Sequence, residues 1–82
     1  MRDCVLLSDL EKSECGKIIN IFSDSVLKAR FNSFGIVKGA TVYVLEQTLS
    51  KNTIEIKVNT TKIALRIVEA QAIEVEKTEC KI

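Results

Sequence analysis

The chain has 82 residues, 46% of them hydrophobic and 28% charged, with three Gly, no Pro and no His. Twelve Lys and Arg stand against eleven Asp and Glu, a net charge of +1. Length allows one domain, expected over residues 1–82, and the composition is neither disordered nor low-complexity. Opposite charges interleave, as in Glu11-Lys12 and Glu55-Ile56-Lys57, so the basic stripe of a nucleic-acid binder is missing. Four aromatic residues supply no base-stacking platform.

No run of about 18 apolar residues is present, so no membrane-spanning helix is expected. The apolar stretch Val5-Leu6-Leu7 is too short for a signal peptide. A cytoplasmic protein is expected, peripheral at a membrane only through a partner. Cys4, Cys15 and Cys80 show no C-x-x-C spacing, and without histidine they are too few for a structural zinc site. Reduced thiols are expected, with a Cys4–Cys80 pairing left open.

In chain order, Ser8 to Glu11 has a capping-box pattern that favours one helical turn anchored by Leu7 and Leu10. Lys17 to Phe22 reads as a first strand whose inward set is ambiguous, because Ile18, Ile19, Ile21 and Phe22 do not alternate. Ser23-Asp24-Ser25 offers an N-cap to a helix over Val26 to Phe34. Leu27, Phe31 and Phe34 recur at i, i+4 and i+7, a stripe read as core covering the open end of a small barrel. Gly35 ends the helix.

The period then becomes two. Thr41 to Leu45 reads as a strand with Val42 and Val44 on one face and Tyr43 and Leu45 on the other. Ser50-Lys51-Asn52 has turn chemistry. Thr53 to Asn59 alternates cleanly, with Ile54, Ile56 and Val58 inward and Glu55 and Lys57 outward. Thr61 to Arg66 repeats the pattern through Ile63 and Leu65, and Ile67 to Ala70 reads as one helical turn. Ala72 to Glu76 closes with Ile73 and Val75 inward. About five strands, with one short α-helix between the first and second, give a mostly β fold. It is either a closed or nearly closed barrel or an open antiparallel sheet with the helix on one face.

Catalysis has no support: there is no histidine base, no phosphate-cradling glycine loop and no Ser-His-Asp or Cys-His set. No catalytic residue, cofactor or metal site is expected, and ferrous iron should bind no better than to a generic surface.

Four pieces in order resemble the FeoA family. They are Leu7-Ser8-Asp9-Leu10 with Gly16-Lys17-Ile18; Leu27-Lys28-Ala29-Arg30-Phe31 with Phe34-Gly35-Ile36-Val37-Lys38-Gly39-Ala40; Ile54-Glu55-Ile56-Lys57-Val58; and Ile63-Ala64-Leu65-Arg66 with Glu69-Ala70 and Ile73-Glu74-Val75. Together they span Leu7 to Glu76. The chain departs from the pattern at Lys38, where the family has proline, at Phe34 in place of leucine, and at Asn59-Thr60 in place of a glycine turn. The resemblance implies an SH3-like β-barrel. The implied role is that of an accessory protein of ferrous-iron uptake, acting by contact with the cytosolic domain of the FeoB-type membrane GTPase and iron transporter.

Candidate partner-binding residues are Lys28 and Arg30 on the helix, Lys38 after it, Tyr43 and Leu45 on the outward strand face, and Leu49 at a loop tip. Whether Tyr43 and Leu45 are covered is open. Arg66 is expected to pair with Glu69 or Glu74. A regulatory barrel acting in trans with an iron-dependent repressor is the alternative function. A peptide-binding SH3-like module ranks below it, because the chain has one Tyr and no Trp to line a groove for proline-rich ligands. Nucleic acid and direct membrane insertion are not expected, and homo-oligomer formation is left open.

Overall fold

The apolar positions of every long strand converge on one cluster, and that convergence sets the architecture. The structure is a computed structural model, described here over residues 4–48 and 52–79. Six strands run β1 (Cys4–Leu6), β2 (Cys15–Ile21), β3 (Thr41–Thr48), β4 (Thr53–Val58), β5 (Thr61–Arg66) and β6 (Ile73–Thr78). They form one antiparallel sheet in the order β1-β6-β2-β3-β4-β5. Helix α1 (Ser25–Ser33) joins β2 to β3, and the single turn α2 (Ile67–Ala70) joins β5 to β6. Ile18, Ile21, Val42, Val44, Ile54, Ile56, Ile63, Leu65, Ile73 and Val75 belong to one core. A flat sheet cannot bring inward residues of β2 through β6 into one cluster. The sheet therefore curls on itself, as expected of an SH3-like barrel.

The described residues form six strands where about five are expected, so α1 lies between the second and third strands. The additional one, β1, is a three-residue edge strand held on β6 by Cys4↔Glu76, Val5↔Val75 and Leu6↔Glu74. Three residues carry no readable period. Two β-bulges account for the other irregularities. One lies between Ile18 and Asn20, so Ile18 and Ile21 both face inward at a spacing of three while Phe22 stays exposed. The other lies between Val44 and Glu46 and makes Leu45 the extra residue of β3, which continues to Thr48.

The helical pieces close the ends of the curl. The Asp24 carboxylate caps α1 by accepting the Leu27 backbone N–H at 2.8 Å. Phe31 is fully buried, and Leu27 and Phe34 pack against the core at partial burial. The stripe is thus core. Gly35 ends the helix at φ +83°, and Asn59 holds a left-handed turn at φ +58°. The turn after β1 is a 3-10 turn over Leu7–Asp9, capped by Leu6 N–H donating to Asp9 Oδ2 at 3.3 Å instead of by the Ser8–Glu11 pair. Glu11 instead gives its backbone N–H to the Glu14 side chain. Leu7 and Leu10 are fully buried as anchors.

Cys4 is an exposed free thiol, so the Cys4–Cys80 pairing does not form; Cys80 lies outside the described residues. Cys15 is buried and disulfide-bonded, against the expectation of reduced thiols throughout.

Gly16 is required by close approach. A Cβ there would meet Val75 Cγ2 at 2.8 Å and Leu10 Cδ1 at 3.2 Å. Gly16→Ala should lower unfolding stability by about 1–3 kcal/mol through overpacking. Gly35→Ala, where the nearest side-chain atom stands at 3.7 Å, should cost about 1–2 kcal/mol through its positive φ alone. Urea unfolding of both variants checks this, and an unchanged midpoint for Gly16→Ala would contradict the packing at β6.

Candidate functional site

Among the described residues no polar or charged side chain is buried, and no three His, Cys, Asp or Glu residues gather as a metal site. Polar chemistry is therefore confined to the surface. No helix among the described residues is long and apolar enough to cross a membrane.

The two sides of the molecule use their charges differently. On the helical side, Glu69 joins α2 to α1. Its Oε2 accepts from Arg30 Nη1 at 3.1 Å, and its Oε1 accepts the Arg66 backbone N–H at 2.9 Å. The Arg30 guanidinium also lies 5.9 Å from the centroid of the Phe34 ring. Glu69 is thus the partner of the Arg30 side chain, a correction to the expected Arg66 pairing. Arg30 serves as a strap within the fold. Lys28 is exposed on α1, and Lys38 is exposed in the turn before β3. That turn is fixed by Gly39 N–H donating to Ile18 O at 2.7 Å and Ile18 N–H donating to Ala40 O at 2.8 Å. Arg30 is directed to α2, and the turn that carries Lys38 is held against β2 by its backbone.

Tyr43 and Leu45 are half-buried. The segment before β2 runs along β3, with Ser13 N–H donating to Val44 O and Val44 N–H donating to Glu14 O, each at 2.9 Å. Lys12 Nζ reaches Glu46 Oε2 at 3.3 Å and fastens the same segment. This segment gives β3 its partial cover. Leu49 lies outside the described residues.

The register of the outer face is more informative than its composition. Opposed residues of antiparallel strands share a face, with Cβ atoms about 5 Å apart. Tyr43 therefore stands beside Lys57, and Lys57 beside Lys62. The next row runs Glu46, Glu55 and Ala64, and the third runs Thr48, Thr53 and Arg66. A shallow depression of 370 Å³ opens on this side, lined by Leu45, Glu55, Lys62, Ile63 and Ala64. Strand alternation placed Lys57 outward, but its apposition to Lys62 depends on a register that one strand's sequence does not contain.

Glu14 holds the covering segment electrostatically. Its carboxylate accepts the Glu11 backbone N–H at 2.7 Å and lies 3.3 Å from Lys77 Nζ. The N–H, and then the ammonium, hold its pKa below the ordinary value near 4.5, against an opposing effect of desolvation. A carboxyl with a depressed folded pKa stabilises above its unfolded pKa, and that stability is lost as pH falls through the folded value. Stability should therefore fall from about pH 5 downward, and Glu14→Gln should flatten that slope in acid unfolding curves. An identical slope in the variant would show that Glu14 contributes nothing.

Comparison with known proteins follows the same outline. The family model described as FeoA domain matches residues 5–77. A Helicobacter pylori protein named "Putative Fe(2+) transport protein A" is 34% identical over 73 residues, covering 88% of this chain and 96% of its own. The crystal structure of an iron uptake regulatory protein, FeoA, superposes at a TM-score of 0.85 with 28% identity, covering 92% of this chain and 99% of that one. A manganese-dependent transcriptional repressor matches at a TM-score of 0.85 with 23% identity, over 92% of this chain and 41% of its own, a likeness of fold alone.

Proposed function

The chain belongs to the FeoA family, and on that premise we propose that it is an accessory protein of ferrous-iron uptake that works by docking on the cytosolic domain of an FeoB-type transporter. The observation that carries the reading is the family match over residues 5–77, nearly the whole chain. The physical character of the molecule supports it. The described interior is wholly apolar and the polar groups are outward, so a binding surface is a more natural working part than a reaction centre. Similarity of fold does not identify a partner; membership of the FeoA family is what supports one from ferrous-iron transport. The repressor reading draws only on likeness of fold.

Within this reading the candidate residues divide. Arg30 is already engaged by Glu69 and Phe34, so a partner's carboxylate would have to compete for it. Tyr43 and Leu45 keep part of their surface in water and offer an apolar anchor of the kind that interfaces favour.

Binding of the purified chain to the soluble GTPase domain of an FeoB-type transporter from the same organism, followed by calorimetry with and without a GTP analogue, tests the proposal. Saturable binding is the expected result. In cells, loss of the chain should reduce uptake of radiolabelled ferrous iron, with recovery on complementation. Absence of binding to the full-length transporter in detergent, together with unchanged uptake, would overturn it.

A further inference from the structure

We propose that the outward face of β4 and β5 docks an acidic polypeptide segment. The proposal rests on the partner reading above only for the identity of the protein that carries the segment.

The pairing of β4 with β5 carries an electrostatic cost. Lys57 and Lys62 are directly opposed across β4 and β5, and both are exposed. Like charges at that separation repel and weaken the pairing. Three described cations elsewhere, Lys12, Lys77 and Arg30, meet carboxylates at 3.3, 3.3 and 3.1 Å; Lys17, Lys28 and Lys38 are exposed as well, but none of them is opposed to a like charge in the register. The Lys57–Lys62 pair has no carboxylate opposite it in the register. Glu55 is two residues from Lys57 on the same strand face and diagonal to Lys62, so one carboxylate serves two ammonium groups. Glu46, opposite Glu55, is already bound by Lys12. Arg66 adds a third cation to the outward face of β5, two places beyond Ala64. The face thus carries Lys57, Lys62 and Arg66 against Glu55 alone.

Apolar surface completes it. Tyr43 lies beside Lys57, and Lys62 lines a depression with the half-buried Leu45 and the exposed Ala64, at whose edge the core residue Ile63 shows little surface. An extended acidic segment would place carboxylates against the opposed lysines and an apolar side chain in the depression. Such an occupant removes the repulsion that the register imposes. Three cations and one tyrosine are a poor match for a nucleic-acid backbone. Charged residues on an edge strand also discourage sheet extension, but the opposed Lys57 is on β4, behind the edge, where that purpose does not need it.

The test uses the full chain, isotope-labelled, titrated with poly-L-glutamate. Amide shifts should concentrate on Tyr43, Leu45, Lys57, Lys62 and Ala64, and should fade with added salt. The doubly reversed K57E/K62E variant should bind about tenfold or more weakly, with a spectrum that keeps its native dispersion. K28E/K38E should bind as the parent does. Shifts centred on α1, or equal binding by K57E/K62E, would sink the proposal. Phosphatidylglycerol vesicles serve as a second probe: if they shift this face and poly-L-glutamate does not, the occupant is a lipid surface and the proposal fails. The GTPase domain separates the two readings. Binding that is insensitive to K57E/K62E overturns this face and leaves the partner; poly-L-glutamate binding here without any GTPase-domain binding upholds this face and removes the partner.

Discussion

The structure depends on one constraint: a chain of about 80 residues must put almost all of its large apolar side chains into a single core, because there is too little volume for two. Among the described residues six strands, the helix α1 and two single helical turns surround that core. Phe31, the buried side chain of α1, Leu7 in the N-terminal turn and Leu10 just after it are fully buried in that core. Among the described residues no buried side chain is polar or charged, so this interior needs no polar partners. The same economy explains Gly16, where β2 runs too close to Val75 for any side chain.

A core built this way leaves function to the surface, and there the charges are distributed unevenly. Around the segment before β2 and between α1 and α2, ion pairs fasten one element to another: Lys12 to Glu46, Lys77 to Glu14, Arg30 to Glu69. Individually such exposed pairs stabilise little, but each fixes where an element lies. On β4 and β5 the register opposes like charges instead. A surface whose charges are internally satisfied gains less from an ionic partner than one whose charges repel each other. That difference separates Arg30, already paired with Glu69, from Lys57 and Lys62 on the sheet face.

Much of the fold was legible in the sequence wherever a regular period met no interruption. Thr61–Arg66 and the turn Ile67–Ala70 occupy the expected residues, and Thr53–Val58 ends one residue early, because Asn59 takes the left-handed turn. The Asp24 cap, the Phe31 stripe and the stop at Gly35 follow from local chemistry that one segment contains. Bulges are different, because they exist only relative to a neighbouring strand. The irregular run Ile18 to Phe22 shows that a pattern is broken, but only pairing with β6 shows how. The three residues of β1 have no period at all. For the candidate site the limit is the same. Residue types and outward positions were readable, including Lys57, while the Lys57–Lys62 apposition and the engagement of Arg30 by Glu69 are facts of pairing between distant segments.

The most direct test of a docking module with its working surface on the sheet is site-specific photo-crosslinking in living cells. A benzophenone amino acid would replace Tyr43 in one strain and Val26, exposed at the start of α1, in another. The account predicts an adduct with the FeoB-type transporter from the Tyr43 position and little or none from Val26. An adduct formed from Val26 alone, or an adduct with no transporter in it from either position, would contradict it.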